Sequence, residues 1–271
     1  MITRIVVSLI GLPLLLAVLL VLPPVATAVL IAAMSVIAVY ELLHRTGLTR
    51  NRILIALSMV MAVAVPVWSY FGCHWTWALI GLWVYFVGVI CAMLASHGKL
   101  PFAEVCIAAF SGIVIPLLWS SLIRILLMEQ GEFYILIPLV LAFSADSGAY
   151  FAGVAFGKHK MAPVISPKKT WEGFVGGIFA AMLIMLIYTV VLQKAFDLQV
   201  NYAAAVLFGA FGSVTSVIGD LVFSVIKRQT GIKDYGNLLP GHGGVLDRFD
   251  SMCLVAPLTE SLLLLLPLIV G

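Results

Sequence analysis

The chain has 271 residues, of which 63% are hydrophobic and only 10% are charged. Too few polar side chains are present to cover a water-soluble globule of this size, so the composition excludes an ordinary soluble domain and predicts an integral membrane protein. The formal net charge of +3 is small, and we expect the lipid bilayer as a partner and no nucleic acid.

Nine hydrophobic stretches follow one another along the sequence, each near the ~20 residues that a bilayer core requires. They predict transmembrane helices over residues 5–22, 25–43, 53–71, 75–96, 104–127, 133–157, 174–193, 201–226 and 250–270. The predicted fold class is therefore all-α, a polytopic membrane protein with about nine transmembrane helices. The first stretch has features of a signal peptide, but a second span follows at once, which favours an uncleaved helix and a tight turn at Pro23 and Pro24.

Basic residues are distributed unevenly between the two membrane sides that nine spans define. One side, which includes the N-terminus, carries thirteen of the fifteen Lys and Arg residues: Arg4, Arg45, Arg50, Arg52, Lys99, Lys158, Lys160, Lys168, Lys169, Lys227, Arg228, Lys233 and Arg248. The opposite side carries Arg124 and Lys194. Cytoplasmic loops of bacterial-type membrane proteins hold the excess of basic residues. The split therefore predicts a cytoplasmic (inner) membrane protein with its N-terminus in the cytoplasm and its C-terminus outside.

The first five spans are mostly aliphatic and aromatic, which is typical of a scaffold. Their one acid that looks buried is Glu41, near the cytoplasmic end of the second span. We interpret Glu41 as extending toward water together with His44 and Arg45, because long charged side chains near a helix end can reach the interface. A functional role for Glu41 is left open.

The sixth span places Asp146 at nominal membrane depth. An unpaired charge costs ~3 kcal/mol or more there, so Asp146 is expected to face a polar cavity, a cation or a metal. Further along the span, Gly153 and Gly157 form a small-residue face that suits close helix packing. In the following loop, residues 158–173, prolines disfavour helix and Thr170 can cap the next span.

The eighth span carries polar side chains at steps of three and four residues, which puts them on one helical face. They are Ser213, Ser216, Asp220, Ser224 and Lys227. The serines alone could be hydrogen-bonding residues between helices in lipid. Asp220 indicates more than packing, because it shares the face that leads into the next loop.

Residues 224–250 hold the densest concentration of charge in the chain. The window includes four basic residues and three acids: Lys227, Arg228, Lys233, Arg248, Asp234, Asp247 and Asp250. Its glycine-rich turn over 241–244 could bring backbone N–H groups close to phosphate oxygens. Asp247 and Asp250 would share a helix face, and paired carboxylates beside a cationic loop suit Mg²⁺ bound to substrate phosphates. A solvated loop would not need so many chemically capable side chains.

Two segments carry a resemblance to a known family. The first reads Ser224-x-x-Lys227-Arg228, Lys233-Asp234, Pro240-x-His242-Gly243-Gly244 and Asp247-Arg248-x-Asp250. It resembles the signature of the phosphatidate cytidylyltransferases, also called CDP-diacylglycerol synthases. The second, which runs from Asp146-Ser147 to Ser166-Pro167-Lys168-Lys169-Thr170 and Glu172-Gly173, is similar to another recurring segment of that family. The resemblance covers residues 144–173 and 213–250.

The resemblance implies transfer of a cytidylyl group from CTP to phosphatidic acid, which gives CDP-diacylglycerol and pyrophosphate in phospholipid biosynthesis. It predicts a transmembrane scaffold over 1–130 and a catalytic transmembrane half over 131–271, with cytoplasmic loops 158–173 and 227–249. Phosphatidic acid already carries an anionic nucleophile, so a Ser-His-Asp arrangement is not needed. The chemistry requires metal ions and Lys or Arg side chains to neutralise phosphate charge.

Site roles follow from that implied activity. Asp220 and Asp247 are expected to be the leading Mg²⁺ ligands, with Asp146 and Asp250 as further ligands or orienting residues; Mn²⁺ could substitute, and a second cation is left open. Together with the two leading ligands, the residues expected to take part in catalysis are Lys227, His242 and Arg248. Substrate phosphates and neighbouring groups are expected to contact Ser166, Lys168, Lys169, Ser224, Arg228, Lys233, Gly243 and Gly244. His242 could donate to phosphate, protonate pyrophosphate or only shape the turn.

Two alternatives remain open. Intramembrane acids and glycine-interrupted helices also occur in transporters for anionic solutes, although no inverted hydropathy repeat is evident and the charged residues converge at one membrane face. A CTP-dependent transferase could also act on a different lipid phosphate. The sequence leaves open the acyl-chain preference, the number of metal ions and the oligomeric state, a homodimer being one option.

Overall fold

The computed structural model describes residues 2–238, 241 and 243–270, with side chains from Leu9 onward in that range. Most of the described chain is helical. The long helices are α1 (Ile2–Leu20), α2 (Pro24–Tyr40), α3 (Arg52–Phe71), α4 (Trp75–Ala95), α5 (Phe102–Trp119), α8 (Leu136–Phe156), α9 (Trp171–Phe196), α10 (Tyr202–Gln229) and α12 (Met252–Leu265). The short helices are α6 (Ser121–Leu126), α7 (Gly131–Tyr134) and α11 (Leu246–Phe249), and a π-helical turn, Glu41–Arg45, follows α2.

Seven segments of the described chain are long and apolar enough to cross a membrane. They are Pro24–Arg45, Arg52–Phe71, Trp75–Ala95, Phe102–Leu126, Gly131–Phe156, Trp171–Phe196 and Tyr202–Gln229. The predicted class, an all-α polytopic membrane protein, is confirmed. The first and last predicted spans correspond to shorter apolar helical segments, Leu9–Leu20 and Met252–Leu265. A total of nine spans therefore stays a prediction.

Local sequence signals explain where several helices begin and end. Asn51 caps α3, because its side-chain Oδ1 accepts hydrogen bonds from the backbone N–H groups of Ile53 and Leu54 at 2.9 and 3.2 Å. The same helix ends at Gly72, whose φ of +56° terminates it in the left-handed conformation that glycine adopts without strain.

Contacts divide the chain into two compact units. The first unit comprises Met1–Leu127 and Lys227–Phe249, and the second comprises Met128–Ile226 and Asp250–Gly271. The predicted division at residue 130 concerns functional roles and stays a prediction. One consequence of the observed division is that the loop with the densest charge belongs to the same unit as the first five long helices.

In the first unit, α2, α3 and α5 pack around a shared apolar core that includes Leu43, Leu54 and Ala108. A small polar cluster crosses this core. The hydroxyl groups of Ser58 and Tyr85 lie 3.0 Å apart, and both donate to the carbonyl oxygen of Ala108, at 3.1 and 2.9 Å. Hydrogen bonds between helices satisfy polar groups that hydrocarbon surroundings could not.

In the second unit, α8 and α9 lie side by side along much of their lengths. Glycines permit this approach: a Cβ atom added at Gly148 would lie 2.3 Å from the Cβ of Ala180, and one added at Gly176 would lie 2.2 Å from the Cβ of Ala152. The predicted small-residue face is confirmed at Gly157, where an added Cβ would lie 3.0 Å from Thr170. The face extends further along α8 than predicted.

A short antiparallel hairpin joins α8 to α9. Its strands are β1 (Lys160–Ala162) and β2 (Ser166–Thr170), which pair Lys160 with Thr170 and Ala162 with Ser166. The predicted cap is confirmed, because Thr170 Oγ1 accepts a hydrogen bond from Gly173 N at 3.1 Å. Glu172 reaches back across the hairpin, where its carboxylate accepts from the backbone N–H of Lys158 at 3.1 Å. These bonds hold both ends of the hairpin at the start of α9.

Candidate active site

In the first unit, the charged loop is organised around an ion pair between Lys227 and Asp247. Lys227 Nζ lies 2.9 Å from Asp247 Oδ1, and the two side chains are 12% and 2% exposed. The ammonium group also lies 5.3 Å from the centre of the Tyr235 ring, within the range of a cation–π interaction. Lys227 is therefore held in one place by both an acid and an aromatic ring.

The second oxygen of Asp247 binds the backbone of the same loop. Asp247 Oδ2 accepts hydrogen bonds from Tyr235 N at 2.7 Å and from Gly244 N at 2.9 Å. Gly243 has a φ of +93°, and a Cβ atom there would lie 2.8 Å from the same oxygen, so glycine is required for the turn to close on this carboxylate. Charge-assisted hydrogen bonds of this kind are stronger than neutral ones. Asp247 thus connects three parts of the loop.

Glu41 lies elsewhere than predicted. Glu41 is only 3% exposed. Its two carboxylate oxygens accept hydrogen bonds from Val245 N at 3.1 Å and Leu246 N at 2.9 Å. The interpretation that Glu41 extends toward water with His44 and Arg45 is therefore wrong. Two backbone donors, more than 200 residues away along the chain, give this acid the partners that a buried charge requires.

In the second unit, β2 and α10 contribute a separate polar cluster. Lys169 Nζ lies 2.6 Å from Asp220 Oδ2, and Ser224 Oγ donates to Asp220 Oδ1 at 3.1 Å. Asp146 lies within electrostatic range of both Asp220 and Lys169. The structure thus brings together four of the predicted site residues, with Lys169 as a cation within electrostatic range of Asp146.

Asp250, which belongs to the second unit, lies close to the helix α10 that carries Asp220. A Cβ atom added at Gly219 would lie 2.9 Å from the Cα of Ser251 and 3.2 Å from the carbonyl oxygen of Asp250. Asp250 is 8% exposed, and its Oδ1 accepts a hydrogen bond from Ser251 N at 2.7 Å. The glycine beside Asp220 therefore lets the backbone at Asp250 come close. The helix α11 ends before Asp250, so a shared helix face with Asp247 does not form.

The remaining predicted site residues differ in how they are placed. Four cations are exposed, Lys168 in β2 and three others at the ends of helices or in loops: Arg228, Lys233 and Arg248. Ser166 lies in β2 opposite Ala162. Ser213 and Ser216 on α10 are fully buried, and their hydroxyl groups have no hydrogen-bond partner among the described residues. His242 lies outside the described residues.

In the second unit, the donor atoms of Asp220 suit a divalent ion that is also bound to substrate phosphates. Mg²⁺ commonly takes only one or two protein carboxylates beside phosphates and water. Each oxygen of Asp220 has one partner in the described structure and its side chain is 32% exposed, so a lone pair remains on each oxygen. In the first unit, Asp247 retains a lone pair on Oδ1 only, and its side chain is 2% exposed. Within either unit, no three His, Cys, Asp or Glu side chains of the described residues cluster as a metal site.

Comparison with known proteins identifies the family. The model of the cytidylyltransferase family matches residues 2–266. The chain belongs to this family. It is 44% identical over 165 residues to the phosphatidate cytidylyltransferase of Bacillus subtilis, a match that covers 60% of each chain. The same named enzyme of Haemophilus influenzae is 42% identical over 128 residues, or 47% of this chain and 44% of the relative.

A third relative, the phosphatidate cytidylyltransferase of Staphylococcus epidermidis, is 46% identical over 136 residues, which is 50% of this chain and 51% of the relative. The chain thus spans 44–60% of the length of these curated relatives. Membership in the family rests on the match along almost the whole chain. The recognition of a cytidylyltransferase from residues 144–173 and 213–250 is confirmed.

Proposed function

We propose that this protein transfers a cytidylyl group from CTP to phosphatidic acid and releases pyrophosphate in phospholipid biosynthesis. The observation that carries the proposal is the loop Lys227–Phe249, in which a buried ion pair and a glycine turn are held together by Asp247. The proposal is also supported by relatives that are 42–46% identical and are named phosphatidate cytidylyltransferase.

The reaction needs alignment of two phosphates more than it needs a protein nucleophile. A phosphate oxygen of phosphatidic acid attacks the α-phosphorus of CTP and forms a new P–O bond, while the bond from that phosphorus to the oxygen that bridges to the β-phosphate breaks. The exposed cations Arg228, Lys233 and Arg248 supply positive charge for the anionic groups. Positioning and charge neutralisation are the main contributions of an enzyme to such transfers.

Lys227 has a different place from the exposed cations, because Asp247 and Tyr235 fix its ammonium group. A fixed charge of this kind costs no reorganisation when negative charge develops during the reaction. We assign Lys227 to the phosphate that changes charge most, which is the leaving pyrophosphate or the α-phosphate.

A divalent cation, Mg²⁺ or Mn²⁺, would neutralise phosphate charge and polarise the phosphoryl oxygens when bound. We assign Asp220 and Asp247 as its leading ligands, and Asp146 and Asp250 as further ligands or orienting residues. Asp220 has the accessible oxygens that this role requires. Lys169, which pairs with Asp220, would exchange that partner for a substrate phosphate.

We further propose that nine segments cross the bacterial cytoplasmic membrane and that the loops 158–173 and 227–249 face the cytoplasm, where CTP is found. The distribution of basic residues supports this orientation. The acyl chains of phosphatidic acid would then remain in the bilayer while the headgroup reaches the site.

The proposed substrates are tested with purified protein in detergent and CTP labelled at the α-phosphate. Phosphatidic acid and a polyprenyl phosphate are supplied as separate acceptors, and the lipid products are separated by chromatography. Labelled CDP-diacylglycerol should form with phosphatidic acid. Label in the polyprenyl product alone would assign a different lipid acceptor, and no labelled lipid with either acceptor would refute transferase activity.

A further inference from the structure

Glu41 occupies an unusual position in the first unit. It is the first residue of the π-helical turn Glu41–Arg45, which interrupts the regular geometry at the end of the second span. Turns of this kind are rare and occur frequently at functional sites. Glu41 is 3% exposed although it carries a carboxylate. A buried acid at an irregular turn calls for an explanation beyond packing.

The carboxylate of Glu41 binds two consecutive backbone amides at the start of α11. Oε1 accepts from Val245 N at 3.1 Å, and Oε2 accepts from Leu246 N at 2.9 Å. The first N–H groups of a helix lack partners within the helix, and a buried N–H group needs an acceptor. Glu41 therefore acts as a distant cap for the residues immediately before Asp247.

Two glycines make room for this carboxylate. A Cβ atom added at Gly236 would lie 2.3 Å from Glu41 Oε1, and one added at Gly244 would lie 2.4 Å from the same oxygen. Neither distance could be tolerated without movement of the carboxylate or the loop. Glycine at both Gly236 and Gly244 is therefore what leaves space for the Glu41 carboxylate.

Glu41 and Asp247 divide the backbone donors of the turn between them. Asp247 binds Gly244 N, and Glu41 binds the next two amides, Val245 N and Leu246 N. Three consecutive N–H groups are therefore fixed by two carboxylates from distant parts of the chain. Since Asp247 also holds Lys227, a shift of this turn would move the ion pair as well.

We propose that Glu41 is a positioning residue that fixes the Gly243-Gly244 turn, and through it Asp247 and Lys227, for cytidylyl transfer. This inference rests on the proposed function. Glu41 does not need to contact substrate, because it acts through the loop backbone. It is supplied by the half of the chain predicted to be scaffold, which thereby contributes to the geometry of the site.

The first variant is Glu41→Gln, which keeps the shape of the side chain but replaces one acceptor oxygen with an NH₂ donor. One backbone N–H of the turn would then face a donor and lose its partner. We expect kcat to fall about tenfold or more, the effect of losing a charge-assisted hydrogen bond. The KM for phosphatidic acid should change less than kcat, since Glu41 is not assigned to the lipid.

Glu104→Gln is the matched control in the same unit. Glu104 is a partly buried glutamate in the first turn of α5, and its Oε2 accepts from the hydroxyl of Thr49 and not from the loop. Its neutralisation should leave kcat within about twofold of the wild type, the range expected when no site contact is changed.

A second measurement tests the hydrogen bonds from Val245 N and Leu246 N to Glu41 and needs no substrate. Backbone hydrogen exchange of a peptide that covers residues 244–246 should accelerate about tenfold or more in Glu41→Gln, because its amides lose protection. The same peptide should be unchanged in Glu104→Gln. This measurement remains valid whether or not the wild type uses CTP and phosphatidic acid.

A third comparison uses the glycine beside Glu41. Gly236→Ala should lower the thermal unfolding midpoint in detergent, because its methyl group meets the carboxylate. In the Glu41→Ala background the same methyl group should cost much less, so the two substitutions should be strongly non-additive. Additive effects would contradict the structural basis of the inference.

These measurements distinguish failure of the role inferred for Glu41 from failure of the proposed function. Unchanged exchange in Glu41→Gln would overturn the anchoring role, and faster exchange with unchanged kcat would overturn the positioning role. A wild-type protein that releases no pyrophosphate from CTP and phosphatidic acid would refute the proposed function, whereas the exchange and glycine measurements would still decide whether Glu41 holds the turn. Faster exchange, lower kcat and non-additivity together would support the inference.

Discussion

At the scale of single residues, Asp247 does two kinds of work with its two oxygens. Oδ1 pairs with the Lys227 ammonium group, and Oδ2 binds the N–H groups of Tyr235 and Gly244. The sequence predicted the identity of Asp247 and Lys227 as site residues from the dense charge of their window. It could not predict that they pair with each other, because the turn between them has no regular period, and it could not predict the bonds to Oδ2, because backbone donors carry no sequence signal.

Asp247→Asn and Lys227→Ala should therefore have different kinetic effects. The amide of Asn cannot accept at both positions and leaves the Lys227 charge without its acid, so we expect kcat to fall by ~10² or more. Lys227→Ala leaves both backbone bonds to Asp247 in place, so kcat should fall by less than in Asp247→Asn, and the KM for CTP should rise because a phosphate-binding cation is lost. Steady-state kinetics at several CTP concentrations measure the difference; the same loss of kcat in both variants, with KM unchanged, would contradict separate roles.

At the scale of elements, the close packing of α8 and α9 sets the position of Asp146, which lies two residues before Gly148. The sequence predicted a small-residue face on α8 and a cap at Thr170, because glycine spacing and capping are local patterns. It did not predict the hairpin of β1 and β2, since strands of three and five residues with two prolines nearby show no clear alternation. The hairpin connects the end of α8 to the start of α9.

Gly148→Ala tests this packing. Its methyl group would lie 2.3 Å from the Cβ of Ala180, so the helices would have to separate, and we expect a loss of about 1–3 kcal/mol in the free energy of unfolding. Gly81→Ala in α4 is the matched control, because nothing lies within 4 Å of the added atom. Alanine favours helix there by up to about 1 kcal/mol. Equal thermal midpoints for the two variants would show that the helices do not depend on this contact.

At the scale of the whole molecule, hydrophobicity alone predicted an all-helical membrane protein, and seven long apolar segments bear this out. The number of spans is harder to predict from the sequence, because the apolar helices at Leu9–Leu20 and Met252–Leu265 are short in the described structure. The hydrogen bonds between Glu41 and the charged loop could not be predicted from the sequence for a different reason. Glu41 lies 204 and 205 positions before Val245 and Leu246 in the sequence, so these contacts depend on the packing of the complete unit.

The proposed orientation is tested by single cysteines in a variant without Cys73, Cys91, Cys106 and Cys253. Cysteines at Lys168 and Lys233, which are exposed, should react with an impermeant maleimide only after the cytoplasmic face is opened. A cysteine at Lys194 is the control for the opposite face and should react in intact cells. Labelling of either loop position in intact cells would reverse the topology.

The central claim, metal-dependent cytidylyl transfer, is tested most directly by counting both products of one reaction. Purified protein with CTP, phosphatidic acid and Mg²⁺ should release one pyrophosphate for each CDP-diacylglycerol formed, and EDTA should stop the reaction until Mg²⁺ or Mn²⁺ is restored. Asp220→Asn should lower kcat by ~10² or more if its carboxylate is a principal source of charge stabilisation for the reaction. Failure of the wild type to release pyrophosphate would contradict the account, and undiminished turnover in EDTA would contradict its metal assignment.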